Sequence, residues 1–471
     1  MKTALKTDVV IVGGGPVGIT LSIALSNLGL ENVVVEREPE LFPLPRAIVM
    51  DAEIHRSLIR QGLGPALAER LTPMVAADFV DAAGTRLMGI DLDGIKLFGV
   101  PAVSRHYQPE LEAMLREEAE RRGAAIRKGV SATSLHDNGF CVSVSCDDDT
   151  VIEGRFLVGC DGASSFVRKS AGIPLEDLGF DQDWLVVDLS VPDKGSSGLP
   201  DVTRQVCDPM RPTTLVSGHR DYYRFEFQLQ PGEAPGLMRS EEHVWKLLAP
   251  WISPSRATVI RSATYRFHAV VATTMRKGNV FIAGDAAHQM PPFMGQGLNS
   301  GMRDAFNLAW KLSFVARGVA EEGLLDTYSA ERLPHARGTV AESVETGRLI
   351  DQLAGRTSHG VSSEAGYGGS RRSLAFTTGA LIEGGAGVGA PLGAMEVLPP
   401  ETVGSFSVVS HVMVDVDGDP NLRSVVADPG VLLSDEVVFV RPDGYVGAVC
   451  KREQAVHTWR ELKKAALFTG V

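Results

Sequence analysis

The feature that most constrains the fold is a glycine-rich turn between an apolar strand and a helix near the N-terminus. Residues 9–12 (VVIV) form a β-branched run typical of a buried parallel strand, and residues 13–18 (GGGPVG) follow it directly. Residues 19–28 then carry apolar side chains at helical spacing, and a second β-branched strand, residues 33–35, ends at Glu36. A strand, a glycine turn, a helix and a strand that ends in an acid are the pattern of a dinucleotide-binding βαβ unit. The sequence therefore predicts an α/β fold of the Rossmann type.

The glycines and the acid of this unit have separate physical roles. Gly13 permits the tight turn, Gly15 lets the backbone approach a pyrophosphate, and Gly18 lets the helix and strand pack closely. The phosphates are expected at the helix N-terminus, where free N–H groups and the helix dipole favour anions. Glu36 is placed to accept hydrogen bonds from a ribose.

Composition limits the class of protein and its partners. The chain has 471 residues, of which 44% are hydrophobic and 22% charged, so we expect a globular protein with two domains and room for a small third. The net charge of −12 disfavours nucleic acid as a main partner. Five cysteines without a CxxC pair predict neither a disulfide framework nor a metal site, and they favour a reducing cytoplasm. Glycines interrupt the apolar stretch of residues 9–30, which argues against a signal peptide or a membrane span.

Two later segments repeat the combination of a buried strand and polar or small residues. Residues 156–159 (FLVG) precede Asp161-Gly162, and residues 280–283 (VFIA) precede Gly284-Asp285. Polar residues directly after a parallel strand mark the carboxyl edge of the sheet, where ligands bind. The Pro/Gly-rich loop of residues 289–301 then leads into a helix, whose N-terminal N–H groups can stabilise negative charge on a bound ring.

These three segments resemble the FAD-dependent aromatic hydroxylases, the single-component flavoprotein monooxygenases, and among them the 3-(3-hydroxyphenyl)propionate hydroxylases. The resemblance extends over residues 5–345, about three quarters of the chain. It also rests on five segments outside the cofactor motifs, namely residues 45–48 (PRAI), 184–188 (WLVVD), 207–212 (CDPMRP), 224–227 (RFEF) and 301–312 (GMRDAFNLAWKL).

The resemblance implies that FAD is the cofactor and assigns residues to its parts. It places the first glycines and Glu36 at the ADP half, Arg46 and Gln108 at the flavin side, and Asp285 at the ribityl–pyrophosphate region. The helix N-terminus at residues 295–299 would face the flavin pyrimidine ring, and His288 would position the cofactor without acting as a base. The full set of expected cofactor-binding residues is Gly13, Gly15, Pro16, Gly18, Glu36, Arg37, Arg46, Gln108, Asp161, Gly162, Gly284, Asp285, Pro292, Gly295, Gln296, Gly297, Leu298 and Asn299.

The activity that the resemblance implies is hydroxylation of a phenolic or hydroxylated heteroaromatic ring. FAD would be reduced by NADH or NADPH and would react with O2 to a flavin C4a-hydroperoxide, the hydroxylating species. Two alternatives stay open: a related flavoenzyme that epoxidises, dehydrogenates or oxidatively cleaves the ring, and a flavin-binding protein without catalysis. The expected partners are a small aromatic substrate and O2, without nucleic acid or membrane, and a homodimer stays open.

The alternating segment of residues 221–229 predicts a strand of the substrate-covering sheet. One face would present Tyr223 with two phenylalanines, and the other would present Tyr222, Arg224 and Glu226. The sequence does not decide which face meets the flavin. Arg224 and Glu226 are expected as a surface pair, with contact between Arg224 and a substrate carboxylate as the alternative. No catalytic residue is identified, and the pocket candidates are Phe293, Tyr223, Arg224 and His219.

These observations divide the chain into four parts. Residues 1–175 and 270–350 are expected to form the FAD-binding domain, of the glutathione-reductase type. Residues 176–269 would form an inserted β-sheet domain for the substrate, and residues 351–390 a linker. Residues 391–471 resemble a truncated thioredoxin-like domain, an α/β appendage without CxxC and therefore without redox activity.

Overall fold

The computed structural model describes most of the chain as a mixed α/β protein. The described residues are 4–356, 375–382, 388–393, 398–414, 416, 418–427, 432 and 435–470, so much of the predicted linker 351–390 lies outside them. None of the helices in these ranges is long and apolar enough to cross a bilayer. The α-helices are Pro16–Asn27, Ala52–Leu58, Gly64–Leu67, Gln108–Arg121, Phe166–Ser170, Lys194–Ser197, Pro235–Met238, Glu241–Leu248, Gln296–Ala316, Asp326–Leu353 and Ala455–Ala465.

The first sheet confirms the Rossmann-like arrangement. Leu5–Val12 lies between Asn32–Glu36 and Val151–Gly159 and pairs in parallel with both, and Val151–Gly159 also pairs in parallel with Val280–Ile282. The carboxyl ends of all four strands therefore lie at one edge, where the glycine turn, Asp161 and Asp285 follow them. The other strands of this eight-stranded sheet are Ala125–Lys128, Ala132–Asp137, Val142–Cys146 and Arg276–Lys277.

The second sheet also has eight strands, and its membership differs from the expected range 176–269. Two of its strands, Ala76–Asp81 and Arg86–Asp91, come from the segment assigned to the FAD-binding domain, and a third, His288–Gln289, follows Asp285. Ala76–Asp81 joins this sheet by parallel pairing with Thr203–Cys207. The two strands are far apart in the chain, so no local sequence pattern predicts their pairing. The other strands are Leu175–Ser190, Thr213–Ser217, Tyr222–Gln228 and Thr258–Ala272.

Two long helices connect the parts of the molecule. Helix Gln296–Ala316 is buried along nearly its whole length and packs against helix Pro16–Asn27 of the glycine turn. Helix Asp326–Leu353 packs against helix Gln296–Ala316 and also against strand Thr258–Ala272 of the second sheet. The residues that follow the carboxyl edge of the first sheet are thereby held against the second sheet.

The C-terminal residues form a separate four-stranded sheet. Its order is Leu422–Val426, Phe406–Ser410, Glu436–Val440 and Val446–Lys451, with the first pair parallel and the others antiparallel. Helix Ala455–Ala465 covers this sheet, and Phe406 packs edge to face on Trp310 of helix Gln296–Ala316. Two small sheets complete the fold, one of Val49–Asp51, Thr72–Pro73 and Val103–Arg105, the other of Lys96–Leu97 and Val100–Pro101.

Candidate cofactor and substrate site

The three glycines of the first turn have the different environments that their roles require. Gly13 has a φ of +106°, and a Cβ there would lie 2.3 Å from the Cys160 carbonyl oxygen. A Cβ on Gly18 would lie 2.0 Å from the Gly13 carbonyl oxygen, so helix and strand packing requires this glycine. A Cβ on Gly15, in contrast, would meet nothing within 4 Å. Gly15 therefore borders open space at the N-terminus of helix Pro16–Asn27.

Glu36 holds the backbone at this turn. Its buried carboxylate accepts hydrogen bonds from the Gly14 amide at 2.6 Å and from the Glu38 amide at 2.8 Å. Arg116, which sequence reasoning missed, donates to the Gly14 carbonyl oxygen at 3.0 Å from helix Gln108–Arg121. Arg37 is exposed and pairs with Glu38, so this arginine stands at the rim of the turn.

Gln108 fixes the loop that carries Arg46. Its Oε1 accepts from the Arg46 amide at 2.8 Å and the Ala47 amide at 2.5 Å, and its Nε2 donates to Glu112. The Arg46 side chain is exposed, lies over the Phe42 ring and is near enough to Asp285 to act on that carboxylate. Arg46 and Asp285, expected at different parts of the cofactor, thus lie within electrostatic reach of each other.

The loops after the second and third strands are joined to each other. Asp161 accepts from the Ser165 hydroxyl at 2.5 Å and the Val167 amide at 3.0 Å, and so caps helix Phe166–Ser170. Gly162, with a φ of +77°, borders open space. Arg168 donates to the Ala163 and Ala286 carbonyl oxygens, both at 3.1 Å, and thereby ties the Asp161 loop to the Asp285 loop.

The buried Asp304 side chain holds the loop of Gly284 and Asp285 by hydrogen bonds. One of its oxygens accepts from the Gly284 amide at 2.9 Å and meets His288 Nε2 at 2.7 Å, and the other accepts from Arg332 at 2.7 Å. Burial by itself raises the pKa of Asp304, but the charges of His288 and Arg332 hold the pKa below its ordinary value. The buried His288 therefore supports the loop through Asp304.

The N-terminus of helix Gln296–Ala316 lies at the same groove. Gly295 adopts a φ of +61°, where a Cβ would fall 2.1 Å from Val49, whereas a Cβ on Gly297 would meet nothing within 4 Å. The Asn299 side chain bonds the backbones of Gly295, Val49 and Asp51, so it holds the loop before the helix in place. Two further expected cofactor residues flank this turn. Pro292 begins the short helix before Gly295, and Leu298 is buried in the core.

These residues fit a flavin dinucleotide. Gly15, Gly162 and Gly297 all border open space, and two of them stand beside helix N-termini that favour negative charge. The buried Gln296 Nε2 has no hydrogen-bond partner among the described residues, while its Oε1 accepts from Arg303 at 3.1 Å. An unpartnered buried donor beside open space points to a ligand acceptor.

The strand Tyr222–Gln228 shows which face of the second sheet meets the cofactor domain. Tyr223 lies in the hydrophobic cluster that packs on helix Glu241–Leu248. Arg224 and Glu226 lie on the other face and are each 5% exposed, so the expected surface pair is wrong. Because successive residues of a strand point to opposite sides, Tyr223 lies on the sheet face away from Arg224.

Arg224 joins the second sheet to the Arg46 loop. It donates to the Arg46 carbonyl oxygen at 2.6 Å, to the Pro45 carbonyl oxygen at 2.7 Å and to Asp188 at 2.7 Å. Asp188 also pairs with Arg261 at 2.8 Å. The Arg224 guanidinium is therefore engaged by the protein and is not held free for a substrate carboxylate.

The two other pocket candidates lie in different places. Phe293 packs edge to face on Trp184 at 5.3 Å, and Trp184 pairs in register with Gln228, on the same sheet face as Arg224. His219 lies after strand Thr213–Ser217, with its Nδ1 2.7 Å from the Thr72 hydroxyl. Phe293 is thus the candidate that the structure brings to the side of the sheet where the cofactor groove lies.

Fold and site together define a flavin-dinucleotide protein in which a Rossmann-like sheet faces a second, mostly antiparallel sheet. The protein-family model described as "FAD binding domain" matches residues 6–343. The chain belongs to this family, which confirms FAD as the cofactor expected from the sequence.

Relatives with a stated activity are aromatic hydroxylases. A probable NADH-specific resorcinol 4-hydroxylase of Rhodococcus jostii (strain RHA1) is 37% identical over 354 residues, 73% of this chain and 65% of the relative. A 3-(3-hydroxy-phenyl)propionate/3-hydroxycinnamic acid hydroxylase of Mycolicibacterium smegmatis is 36% identical, over 74% of this chain and 62% of the relative. The resemblance noted in the sequence is confirmed, and this chain spans less than two thirds of the length of these relatives.

Solved structures show the same fold. The ternary complex of aklavinone-11 hydroxylase with FAD and aklavinone has a TM-score of 0.83 at 22% identity and covers 99% of both chains. The flavin-dependent monooxygenase PieE, in complex with FAD and substrate, has a TM-score of 0.81 at 21% identity, over 98% of this chain and 99% of the other.

Proposed function

We propose that this protein is an FAD-dependent monooxygenase that uses NADH or NADPH and O2 to hydroxylate a phenolic ring. The observation that carries the proposal is the junction at Pro45–Arg46, where Arg224 of the second sheet contacts a loop of the cofactor groove. A substrate on that sheet face would lie against the flavin side of the cofactor. The relatives named above, which act on resorcinol and on 3-(3-hydroxyphenyl)propionate, support a phenol with a substituent at the meta position.

The chain's own residues would hold FAD and adjust its charge. Bound FAD would supply hydride acceptance from NAD(P)H and the activation of O2. The turn at Gly13–Gly18 would hold the pyrophosphate, and Gln108 would keep Arg46 at the flavin side. The N-terminal amides of helix Gln296–Ala316 would stabilise negative charge on the reduced ring, as fixed dipoles do in a site closed to water.

The second sheet would keep water from the reacting ring. Phe293 packs on Phe180, Trp184 and Phe267, with ring centroids 5.9, 5.3 and 6.3 Å apart. Such an aromatic wall beside the cofactor groove excludes water, which a hydroxylase needs in order to couple O2 activation to product formation. We therefore assign the second sheet, including Ala76–Asp81 and Arg86–Asp91, to the substrate domain.

We also infer a supporting role for the C-terminal sheet. A parallel strand pair extended by two antiparallel strands and a final helix supports the interpretation of this region as a reduced thioredoxin-like domain. Its contacts with helix Gln296–Ala316 support a structural role, and a homodimer stays a hypothesis. A cytoplasmic location likewise stays a hypothesis.

The proposal is tested with the purified protein and a panel of meta-substituted phenols. Oxidation of NADH and of NADPH is followed by absorbance, and hydrogen peroxide is measured in the same vessel. We expect at least one phenol to stimulate oxidation strongly, with little peroxide and with a product heavier by one oxygen. If no phenol stimulates oxidation by protein that carries FAD, the proposal fails.

A further inference from the structure

Glu226 is a nearly buried carboxylate on strand Tyr222–Gln228. The residue is 5% exposed, and its carboxylate accepts no hydrogen bond from any residue that the structure describes. The nearest cation is Arg224, whose Nη1 lies 4.0 Å away. A buried carboxylate normally has donors around it, so this acceptor requires an explanation.

The cations near Glu226 are committed to other partners. Arg224 donates to Asp188 and to the carbonyl oxygens of Pro45 and Arg46. Arg261 pairs with Asp188 at 2.8 Å. Two cations therefore share one carboxylate by direct contact, and Glu226 supplies the charge that balances the group without touching either cation closely.

The described residues beside Glu226 on the neighbouring strands donate no hydrogen bond to it either. In register, Glu226 lies between Val186 and Thr214 on the neighbouring strands. Val186 has no polar side chain, and the Thr214 hydroxyl donates to Gln205 at 2.6 Å. The lone pairs of the carboxylate are thus vacant among its described neighbours.

The position of Glu226 is the one where a substrate is expected. It stands two residues from Arg224, and residues two apart on a strand share a face. That face contacts the Arg46 loop and carries Trp184, on which Phe293 packs. Burial, more than the nearby charges, raises the pKa of Glu226 to about 6, so at pH 8 the group is an anion with unused acceptor capacity.

We propose that Glu226 accepts a hydrogen bond from a hydroxyl of the substrate, and that the site therefore selects neutral hydroxylated phenols over phenols that carry a carboxylate. A hydroxyl would satisfy the vacant lone pairs of Glu226. A substrate carboxylate would instead place a second negative charge beside it, while Arg224 and Arg261 are already paired with Asp188. This inference rests on the proposed function, and it favours substrates such as diols over phenolic acids.

Two ligands with the same phenol ring, one ending in a carboxylate and the other in a neutral alcohol, test the inference. The probes are 3-(3-hydroxyphenyl)propionate and its neutral alcohol, 3-(3-hydroxyphenyl)propan-1-ol, titrated into the oxidised FAD-loaded protein at pH 8 without NAD(P)H. Perturbation of the flavin absorption spectrum gives each Kd. We expect the alcohol to bind at least about 10-fold more tightly than the acid, a difference of about 1.4 kcal/mol.

Glu226→Gln keeps the shape of the side chain and removes the charge. This variant should reduce the preference for the alcohol to about 3-fold or less, mainly because the acid binds better. Glu176→Gln is the matched control, since Glu176 lies on the same sheet but is exposed and pairs with Arg337. The control should keep the preference of the unmodified protein.

The outcomes separate this inference from the proposed function. Equal or tighter binding of the acid by the unmodified protein overturns the role of Glu226 alone, as does an unchanged preference in Glu226→Gln. If neither probe perturbs the flavin spectrum and no phenol in the panel stimulates NAD(P)H oxidation, the proposed function fails and the inference fails with it.

Discussion

At the scale of single residues, the roles of the glycines in the cofactor motifs could be predicted from the sequence. Their chemistry is local, because a tight turn or a close backbone approach admits no other side chain. The charged residues that support them were not found in this way. Arg116, Arg168 and Asp304 each look like ordinary surface residues in sequence, since charged side chains are rarely buried, and only long-range contacts show their roles.

Gly15→Ala separates cofactor binding from folding. Gly15 has a φ of −74°, which any residue adopts, and a Cβ there meets nothing within 4 Å. We expect the free energy of unfolding of the apoprotein to change by less than about 0.5 kcal/mol. The Kd for FAD should rise at least about 10-fold, because the methyl group would occupy the space of the pyrophosphate.

Gly236→Ala is the control for this variant. Gly236 also borders open space, with its nearest neighbour 4.0 Å from a Cβ, but it lies in helix Pro235–Met238, far from the cofactor motifs in sequence. Titration of apoprotein with FAD gives both dissociation constants. Unchanged FAD affinity in Gly15→Ala would contradict the assignment of the turn.

At the scale of elements, the sequence predicted the strands and helices that carry the cofactor motifs, and also the two faces of strand Tyr222–Gln228. It could not say which face meets the flavin. That choice is made by contact between Arg224 and the Pro45–Arg46 loop, which are far apart in the chain. The parallel pairing of Ala76–Asp81 in the second sheet could not be predicted either, because its partner strand is also far away in the chain.

The crossing of helices Pro16–Asn27 and Gln296–Ala316 gives a prediction at this scale. A Cβ on Gly301 would lie 2.5 Å from Val17 Cγ2. Gly301→Ala should therefore lower the free energy of unfolding by about 1–3 kcal/mol, because the packed helices must move apart. In a Val17→Ala background the same change should cost less than about 0.5 kcal/mol, since the clashing methyl group is gone.

Denaturant unfolding of the four proteins in this double-mutant cycle measures the coupling. Equal costs of Gly301→Ala in the two backgrounds would show that Val17 does not limit the approach of the helices. The FAD content of each purified variant is measured as well. A lower content would show that the helix crossing also aligns the two helix N-termini that hold the cofactor.

At the scale of the whole molecule, a buried ionic cluster locks the C-terminal sheet to the two long helices. Arg441 donates to both oxygens of Glu331, at 2.9 and 2.8 Å, and to Asp443 at 2.6 Å. Lys311 donates to Glu331 at 2.8 Å, and Trp310 donates to Asp443 at 3.2 Å. The sequence indicated a structural role for this segment, but nothing local in it marks these partners.

Removal of Arg441 should destabilise the whole protein. Arg441→Met removes the cation that donates to the buried Asp443 and leaves Lys311 as the cation that donates to Glu331. We expect a loss of about 3–5 kcal/mol in the free energy of unfolding, the usual effect of breaking a buried ion pair. Arg452→Met, at an exposed position of the same C-terminal region, should change it by less than about 0.5 kcal/mol. Similar effects of the two changes would contradict the account of the cluster.

The same cluster predicts how stability depends on pH. Burial alone would raise the pKa of Glu331, but Arg441 and Lys311 lower it to about 2 from an ordinary value of 4.5. Between these two values the unfolded chain binds more protons than the folded protein, so stability falls as the pH falls from 4.5. The destabilisation caused by Glu331→Gln should therefore be full at pH 6 and should shrink steadily toward about pH 3. Unfolding midpoints across this range measure it, and a constant difference would count against the ionised cluster.

The proposed function requires that the flavin site inserts one atom of O2 into a phenolic ring. The most direct test is turnover under ¹⁸O2 with NADH and the best phenol of the panel, with mass analysis of the product. We expect an intact aromatic ring that carries one additional hydroxyl labelled with ¹⁸O. An unlabelled product, a product that has only lost hydrogen, or a cleaved ring would contradict it.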